Sequence, residues 1–294
     1  MGDTLEEIES QPAVWRQAVA RVTPESNLML PYARERVAAV GCGTSWFVAQ
    51  SYAARREELG FGESDAFTPT EMPPYRIYDR VVAISRSGTT TEVIRFIERM
   101  REQAVLTTAI TAVAGSPVAE LAGHTIVLDF ADERSIVQTR FATSALALLR
   151  AHLLEELEPV IADGERALAD PLPIEPAEFE HYVFLGGGWS VGLANEAALK
   201  LREAAQAWTE SYPAMEYRHG PISVAGPRSV VWALGEVDRG VLDAAAATGA
   251  TVVGGTLDPM AELVQIQRTA VALARARGLD PDHPRHLARS VVLS

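Results

Sequence analysis

The chain has 294 residues, 48% of them hydrophobic, a formal net charge of -13 and one cysteine. That length allows two domains with sizeable cores, and the acidic balance excludes a protein that grips nucleic acid through its phosphates, which needs a basic surplus. A lone Cys42 excludes an internal disulfide, no apolar run reaches membrane-spanning length, and the start is acidic at Asp3, Glu6 and Glu7, so a cytoplasmic protein with no membrane partner is expected.

In chain order, residues 5–10 read as a short helix, and Pro12, at a favoured first-turn position, restarts the pattern through Val22. From Arg36 the pattern alternates. Strands are expected at 37–40, 66–68, 81–84, 106–111 and 125–129, with helices at 45–59, 90–103 and 116–121. Such alternation predicts an α/β fold, a doubly wound, flavodoxin-like parallel sheet with helices on both faces. A long helix is expected over 137–169, and the three prolines of 170–176 read as a linker. The pattern then restarts. The run from Val37 through Gly41-Cys42-Gly43-Thr44-Ser45 and the run from Tyr182 through Gly186-Gly187-Gly188-Trp189-Ser190 share strand, glycine turn and helix entry at an offset of 145. Later elements are a strand at 230–234, a strand at 250–253 and a helix at 260–276.

Between the strand at 81–84 and the helix at 90–103 lies Ser85-Arg86-Ser87-Gly88-Thr89-Thr90. A loop entering a helix N-terminus meets unpaired N–H groups and the positive end of the helix dipole, so it suits an anion. Its hydroxyls add donors, and Gly88 permits close backbone approach. A capped helix with a polar first turn fits the same residues. No lysine follows the glycine, so this is not a nucleotide P-loop; Gly186-Gly187-Gly188 lacks the G-x-G-x-x-G spacing of a dinucleotide site, the next glycine being Gly192. The six histidines show neither H-E-x-x-H nor cysteine pairing, and His283 and His286 flank Pro284 in a surface turn. No metal and no cofactor are expected. On the helix that includes 195–203, Glu196, Lys200 and Glu203 share one face, a spacing that also fits a solvated, salt-bridged surface.

Gly41-Cys42-Gly43-Thr44-Ser45 and Ser85-Arg86-Ser87-Gly88-Thr89-Thr90, each after a strand, resemble the sugar isomerase (SIS) family, in the form of the isomerase half of glucosamine-6-phosphate synthase and its stand-alone deaminase and deglycase relatives. The likeness covers nearly the whole chain. It implies two tandem SIS domains, 31–169 and 177–294, behind a helical leader, 1–30, in which Glu7-Ile8-Glu9-Ser10-Gln11-Pro12 packs on the first domain. Only 254–259 is available for a last strand, so the second sheet is expected to be one strand short. By this resemblance Gly43, Thr44, Ser45, Ser85, Arg86, Ser87 and Thr90 bind a phosphosugar.

The segment Asn195 to Glu203 is similar to the family's catalytic helix, E-x-A-L-K-L-x-E, followed at the family's own spacing by H-G-P, with His219 sixteen residues after Glu203. The resemblance implies interconversion of ketose and aldose phosphates. Glu203 would carry a proton between C1 and C2, which a carboxylate in a dry pocket can do near neutral pH. Lys200 would contact substrate, and His219, delivered from the neighbouring subunit of a homodimer, would help open the sugar ring. Glu133 to Arg140 matches a segment lining the sugar site, where Gln138 replaces a small hydroxyl residue and would shrink the pocket or read another substituent; a capping box of Ser135 and Gln138 fits equally well.

Two departures bear on the reaction. No glutaminase domain precedes these residues and Cys42 lies in a strand turn, so glutamine hydrolysis is not expected. The family's tail, N-L-A-K-S-V, supplies a lysine that forms an imine; here Arg289 stands in His286-Leu287-Ala288-Arg289-Ser290-Val291 and can bind an oxygen but cannot form that bond. The expected activity is isomerisation of an amino sugar phosphate or amine-linked fructose phosphate, with deamination or deglycation. An ammonia-dependent synthase-like aminotransferase is one alternative. A non-catalytic sugar-phosphate sensor is another, although the residues before Val37 are too few and too acidic for a helix-turn-helix.

Overall fold

The computed structural model describes residues 2–293, which form two compact units. The N-terminal unit comprises Ala13–Arg134, Arg140–Leu157 and the segment from Ala288 onward; the C-terminal unit comprises the segment up to Pro12, Ser135–Thr139 and Glu158–Leu287.

In chain order the elements begin with α1 (Asp3–Glu9), α2 (Gln11–Ala20), α3 (Pro24–Met29), β1 (Val37–Val40), α4 (Thr44–Glu58), β2 (Ser64–Phe67), β3 (Arg80–Ile84) and α5 (Thr91–Glu102). β4 (Leu106–Thr111), α6 (Pro117–Leu121), β5 (His124–Val127) and α7 (Arg140–His152) follow. Strands β1 and β3 are buried at every residue, as expected of central parallel strands covered on both faces. Helix α5 turns Val93, Phe96, Ile97 and Met100 inward, the three-and-four spacing of a core-facing helix, against Val40, Val81 and Ala83. The sheet is parallel, in the order β2-β1-β3-β4-β5.

The C-terminal unit contains α8 (Glu158–Ala169), β6 (His181–Gly186), α9 (Ser190–Ala205), β7 (Trp208–Pro213), β8 (Ser229–Leu234), α10 (Arg239–Ala247), β9 (Thr251–Gly254) and α11 (Pro259–Ala276). Its parallel sheet runs β7-β6-β8-β9, the same order less the last strand, so the second sheet is one strand short of the first, as expected. Asp238 and Asp258 cap α10 and α11 through the N–H groups of Val241 and Met260.

Several expectations are corrected. The long helix over 137–169 is two helices, because Leu154 takes a left-handed φ of 66° and Pro159 suits only a first helical turn. Ser135 and Gln138 form no capping box, since α7 starts at Arg140 and the Ser135 hydroxyl binds Glu7. Trp208–Pro213 form a further strand, β7, that was not expected, because its residues do not show strict alternation. The unit boundaries also differ. The leader up to Pro12 goes with the C-terminal unit, the tail from Ala288 goes with the N-terminal one, and the 170–176 linker lies inside a unit because α8 packs on α11.

Candidate functional site

In the N-terminal unit, β3 delivers its chain into Ser85–Thr90 at the carboxyl edge of the sheet, the usual ligand edge of such sheets. Gly88 has φ 64°, and a Cβ there would sit 2.0 Å from the Ser116 hydroxyl, so only glycine fits. Ser87 Oγ gathers the loop, accepting from the Thr89 N–H at 3.3 Å and lying 3.0 Å from Thr89 Oγ1. Thr90 precedes α5 without capping it through its side chain. From the neighbouring β1 turn, Gly43 (φ 54°) leads into Thr44 and Ser45, both buried at the start of α4.

Arg86 behaves differently from the expectation. Its guanidinium is inside the unit, 3.2 Å from the buried Glu133 carboxylate, and also donates to the Arg289 carbonyl at 3.1 Å. It fastens the loop to the chain tail. Arg289 in turn binds the Asp132 carboxylate and the Glu133 carbonyl. Ser290 Oγ lies 3.1 Å from Thr89 Oγ1, and the Thr91 N–H donates to the Val291 carbonyl at 3.2 Å, so the tail lies along the hydroxyl loop. Glu133 and Ser290 lie in segments that the resemblance matches, but neither was given a role from sequence. Cys42 is no nucleophile: burial, and after it the Glu92 carboxylate, push its thiol up to about 11.

In the C-terminal unit, α9 carries the three residues expected to share a face. Glu196 and Lys200 are buried and Glu203 is half-buried, which overturns the reading of a solvated surface. Lys200 Nζ lies 3.2 Å from Glu196 Oε1 and 2.6 Å from Glu203 Oε2, and donates to the Gln138 carbonyl at 3.1 Å. The Lys200 and Glu196 side chains are 1% exposed, whereas that of Glu203 is 18% exposed. Burial opposes the ammonium, but Glu196 and Glu203 more than reverse that, and Lys200 is held above its ordinary pKa. Gln138 Oε1 is buried and makes no hydrogen bond among the described residues. His219 ends the 3₁₀ turn Ala214–His219, exposed, just before Gly220 at φ 139°.

A second histidine bridges the strand starts: His181 lies 3.0 Å from Ser229 Oγ and 3.2 Å from Glu210 Oε2. The set has the composition of a hydrolase triad, but Ser229 is buried and its hydroxyl already accepts from the Gly226 N–H, which makes it a clasp between β6, β7 and β8. Among the described residues no group of three or more His, Cys, Asp or Glu is placed to hold a metal ion, and no helix is long and apolar enough to cross a membrane.

With that geometry in view, residues 30–153 match the SIS domain, a stretch that covers most of the N-terminal unit. The match does not extend to the second sheet. The relatives are more particular. The glutamine–fructose-6-phosphate aminotransferase (isomerizing) of Pyrobaculum aerophilum is 28% identical over 98% of this chain, and that of a Nostoc species is 26% identical over the same share. The chain spans a little over half the length of these curated relatives, 57% and 58%. Among solved structures, glucosamine-6-phosphate deaminase from Thermotoga maritima has a TM-score of 0.83 at 24% identity, covering 99% of this chain and all of that one. Tagatose-6-phosphate ketose/aldose isomerase from Escherichia coli has a TM-score of 0.81 at 19% identity, covering 99% and 96%. At these identities the solved structures bear on the fold alone.

Proposed function

We propose that this chain is a sugar-phosphate isomerase acting on an amino sugar phosphate or an amine-linked fructose phosphate, releasing the amine as it isomerises. The observation that carries the reading is the graded burial of the α9 cluster: Glu196 and Lys200 are closed off, and Glu203 alone keeps part of its carboxylate open. A base must be reachable by a carbon acid, and the Lys200 ammonium holds the Glu203 carboxylate in place at 2.6 Å. Glu203 would take the proton from one carbon and return it to its neighbour.

The hydroxyl loop, Ser85, Ser87 and Thr90 with Gly43, Thr44 and Ser45, would hold the phosphate through N–H and O–H donors. That fits an acidic protein with no basic surface to spare. His219, exposed beside a glycine of positive φ, would open the ring in the site of a second copy, making the working unit a homodimer. Arg289 would bind a substrate oxygen in place of an imine-forming lysine. A cytoplasmic setting, where phosphosugars are found and Cys42 stays reduced, belongs to the same proposal.

Glu203→Gln tests it. With glucosamine 6-phosphate or an amine-linked fructose 6-phosphate, turnover should fall by roughly 10²–10⁴ while binding persists. Unchanged turnover removes Glu203 from the mechanism. A second reading, ammonia-dependent formation of an aminosugar phosphate, is favoured by the aminotransferase relatives that align with 98% of the chain. Supplying ammonia with fructose 6-phosphate and looking for glucosamine 6-phosphate separates the two. Failure to turn over any phosphosugar would leave a sensor.

A further inference from the structure

Outside its own helix Lys200 donates to the carbonyl of Gln138, and the segment bearing that carbonyl is pinned from the far end of the sequence. The α1 residue Glu7 is 3% exposed. Its carboxylate accepts from the Ser135 hydroxyl and, at 3.4 Å, from the Ser135 N–H. The Ser135 hydroxyl also lies 2.8 Å from the Val137 carbonyl, which draws the segment into a tight bend one residue before Gln138. Thr4 and Gln11 hold the same leader in place through the Asp282 carboxylate at 2.6 Å and the Gln267 amide oxygen at 2.7 Å.

A second feature shows the same convergence. Thr4 and Ile8 of α1, Val137 and Thr139 of the pinned segment, Lys200 of α9 and Gln267 of α11 line one cavity of about 10 Å³, room for a single water at most. The leader closes over the stem of Lys200. An ammonium so enclosed cannot exchange its carbonyl partner for bulk water, so where Gln138 sits decides where the charge sits.

We propose that Glu7 is a positioning residue for the carboxylate of Glu203: through Ser135 it fixes the Gln138 carbonyl, the carbonyl fixes the Lys200 ammonium, and the ammonium orients Glu203. The proposal rests on the reading of Glu203 as the base. It gives a leader residue almost two hundred positions away in sequence a part in the proton transfer. Other charges bear on Glu203. On α9 these are Glu196 and Arg202; around α9, Arg277 just after α11 donates to the Ala205 carbonyl, Glu262 of α11 is taken by Trp232, and Glu210 of β7 by His181.

The test uses the full chain with Glu7→Ala, Glu7→Gln and Ser135→Ala. Two readouts are needed: turnover of glucosamine 6-phosphate across pH, and the Glu203 carboxyl pKa followed directly by NMR of ¹³C-labelled glutamate. Glu7→Ala and Ser135→Ala should lower kcat roughly 10- to 100-fold with little change in KM. Both should displace the acid limb of the pH profile and the Glu203 titration together as the ammonium drifts away. Glu7→Gln, which keeps an acceptor oxygen for the Ser135 hydroxyl, should recover most of the loss. If Glu7→Ala does not fold, Ser135→Ala carries the test. A fall in kcat with neither the acid limb nor the Glu203 pKa displaced means Glu7 serves the fold alone and overturns the proposal, as does wild-type behaviour of folded variants. If the wild type turns over no phosphosugar, the isomerase reading fails, yet the NMR titration still decides whether Glu7 governs Glu203.

Discussion

Helices α4 and α9 show how one backbone solution has been given two chemistries. Each follows a buried strand and a glycine turn at an offset of 145: Gly41 and Gly186 both sit where a Cβ would lie 2.5 Å from the backbone of Ser45 or Ser190, and Gly43 and Gly188 share φ values of 54° and 51°. The offset continues into the helices. Arg55 and Glu58 pair at 3.2 Å in α4, where Lys200 and Glu203 pair in α9, but the α4 side chains are 25% and 37% exposed. At the third position α4 has Ser51 and α9 has Glu196. Geometry is therefore common to both, and burial with one extra carboxylate distinguishes them. A surface ion pair is worth little, whereas a buried cation between two acids is costly to assemble and is found where chemistry requires it. The turns after β3 and β8 diverge in the opposite sense: the first offers Ser85, Ser87, Thr89 and Thr90, the second Gly235-Glu236-Val237-Asp238.

The largest expected contrast is catalytic. Glu203→Gln should cost roughly 10²–10⁴ in turnover while Glu58→Gln, its counterpart, stays within about twofold of wild type; equal losses in steady-state assays would dissolve the distinction. Stability should separate the same helices next. Lys200→Met leaves Glu196 and Glu203 facing one another without that cation and should cost about 3–5 kcal/mol, against under about 1 kcal/mol for Glu58→Gln, the more exposed partner of the α4 pair, both read from denaturant melts. Ser87→Ala should weaken phosphosugar binding about tenfold, near 1.4 kcal/mol, with the fold retained, as titration calorimetry would show. The reactivity of Cys42 stands apart, since it takes no part in the proposed reaction. Because its thiol titrates at about 11, the neutral form is favoured below that pH, and alkylation at pH 8 should run on the order of a hundredfold slower than for a thiol with the ordinary pKa near 9, becoming comparable only above the folded pKa.

Much of this was legible in the residues. β1 and β4 are found at the positions their apolar runs predict, and α5 begins one residue after Thr90. Those elements are specified locally, by continuous burial and helical spacing. What escaped depends on contacts distant in sequence. β7 is a strand because it pairs with β6, not because Trp208–Pro213 alternates. The allegiance of the leader and tail is set by Glu7 on Ser135 and by Thr91 on Val291, partners more than 120 residues apart. Within the site, the shared face of Glu196, Lys200 and Glu203 could be read from spacing, but its burial could not, and that burial separates a salt-bridged surface from a candidate base. Arg86 is the converse case: a cation in an anion loop invites a ligand role, and the buried Glu133 that claims it sits 47 positions away.

Solvent isotope exchange tests the central assignment most directly. Glucosamine 6-phosphate or fructose 6-phosphate incubated with the protein in deuterium oxide should acquire deuterium at the carbons adjoining the carbonyl, and the signal should vanish with Glu203→Gln. Deuterium entering at the wild-type rate in that variant would contradict the account, for then some other group moves the proton.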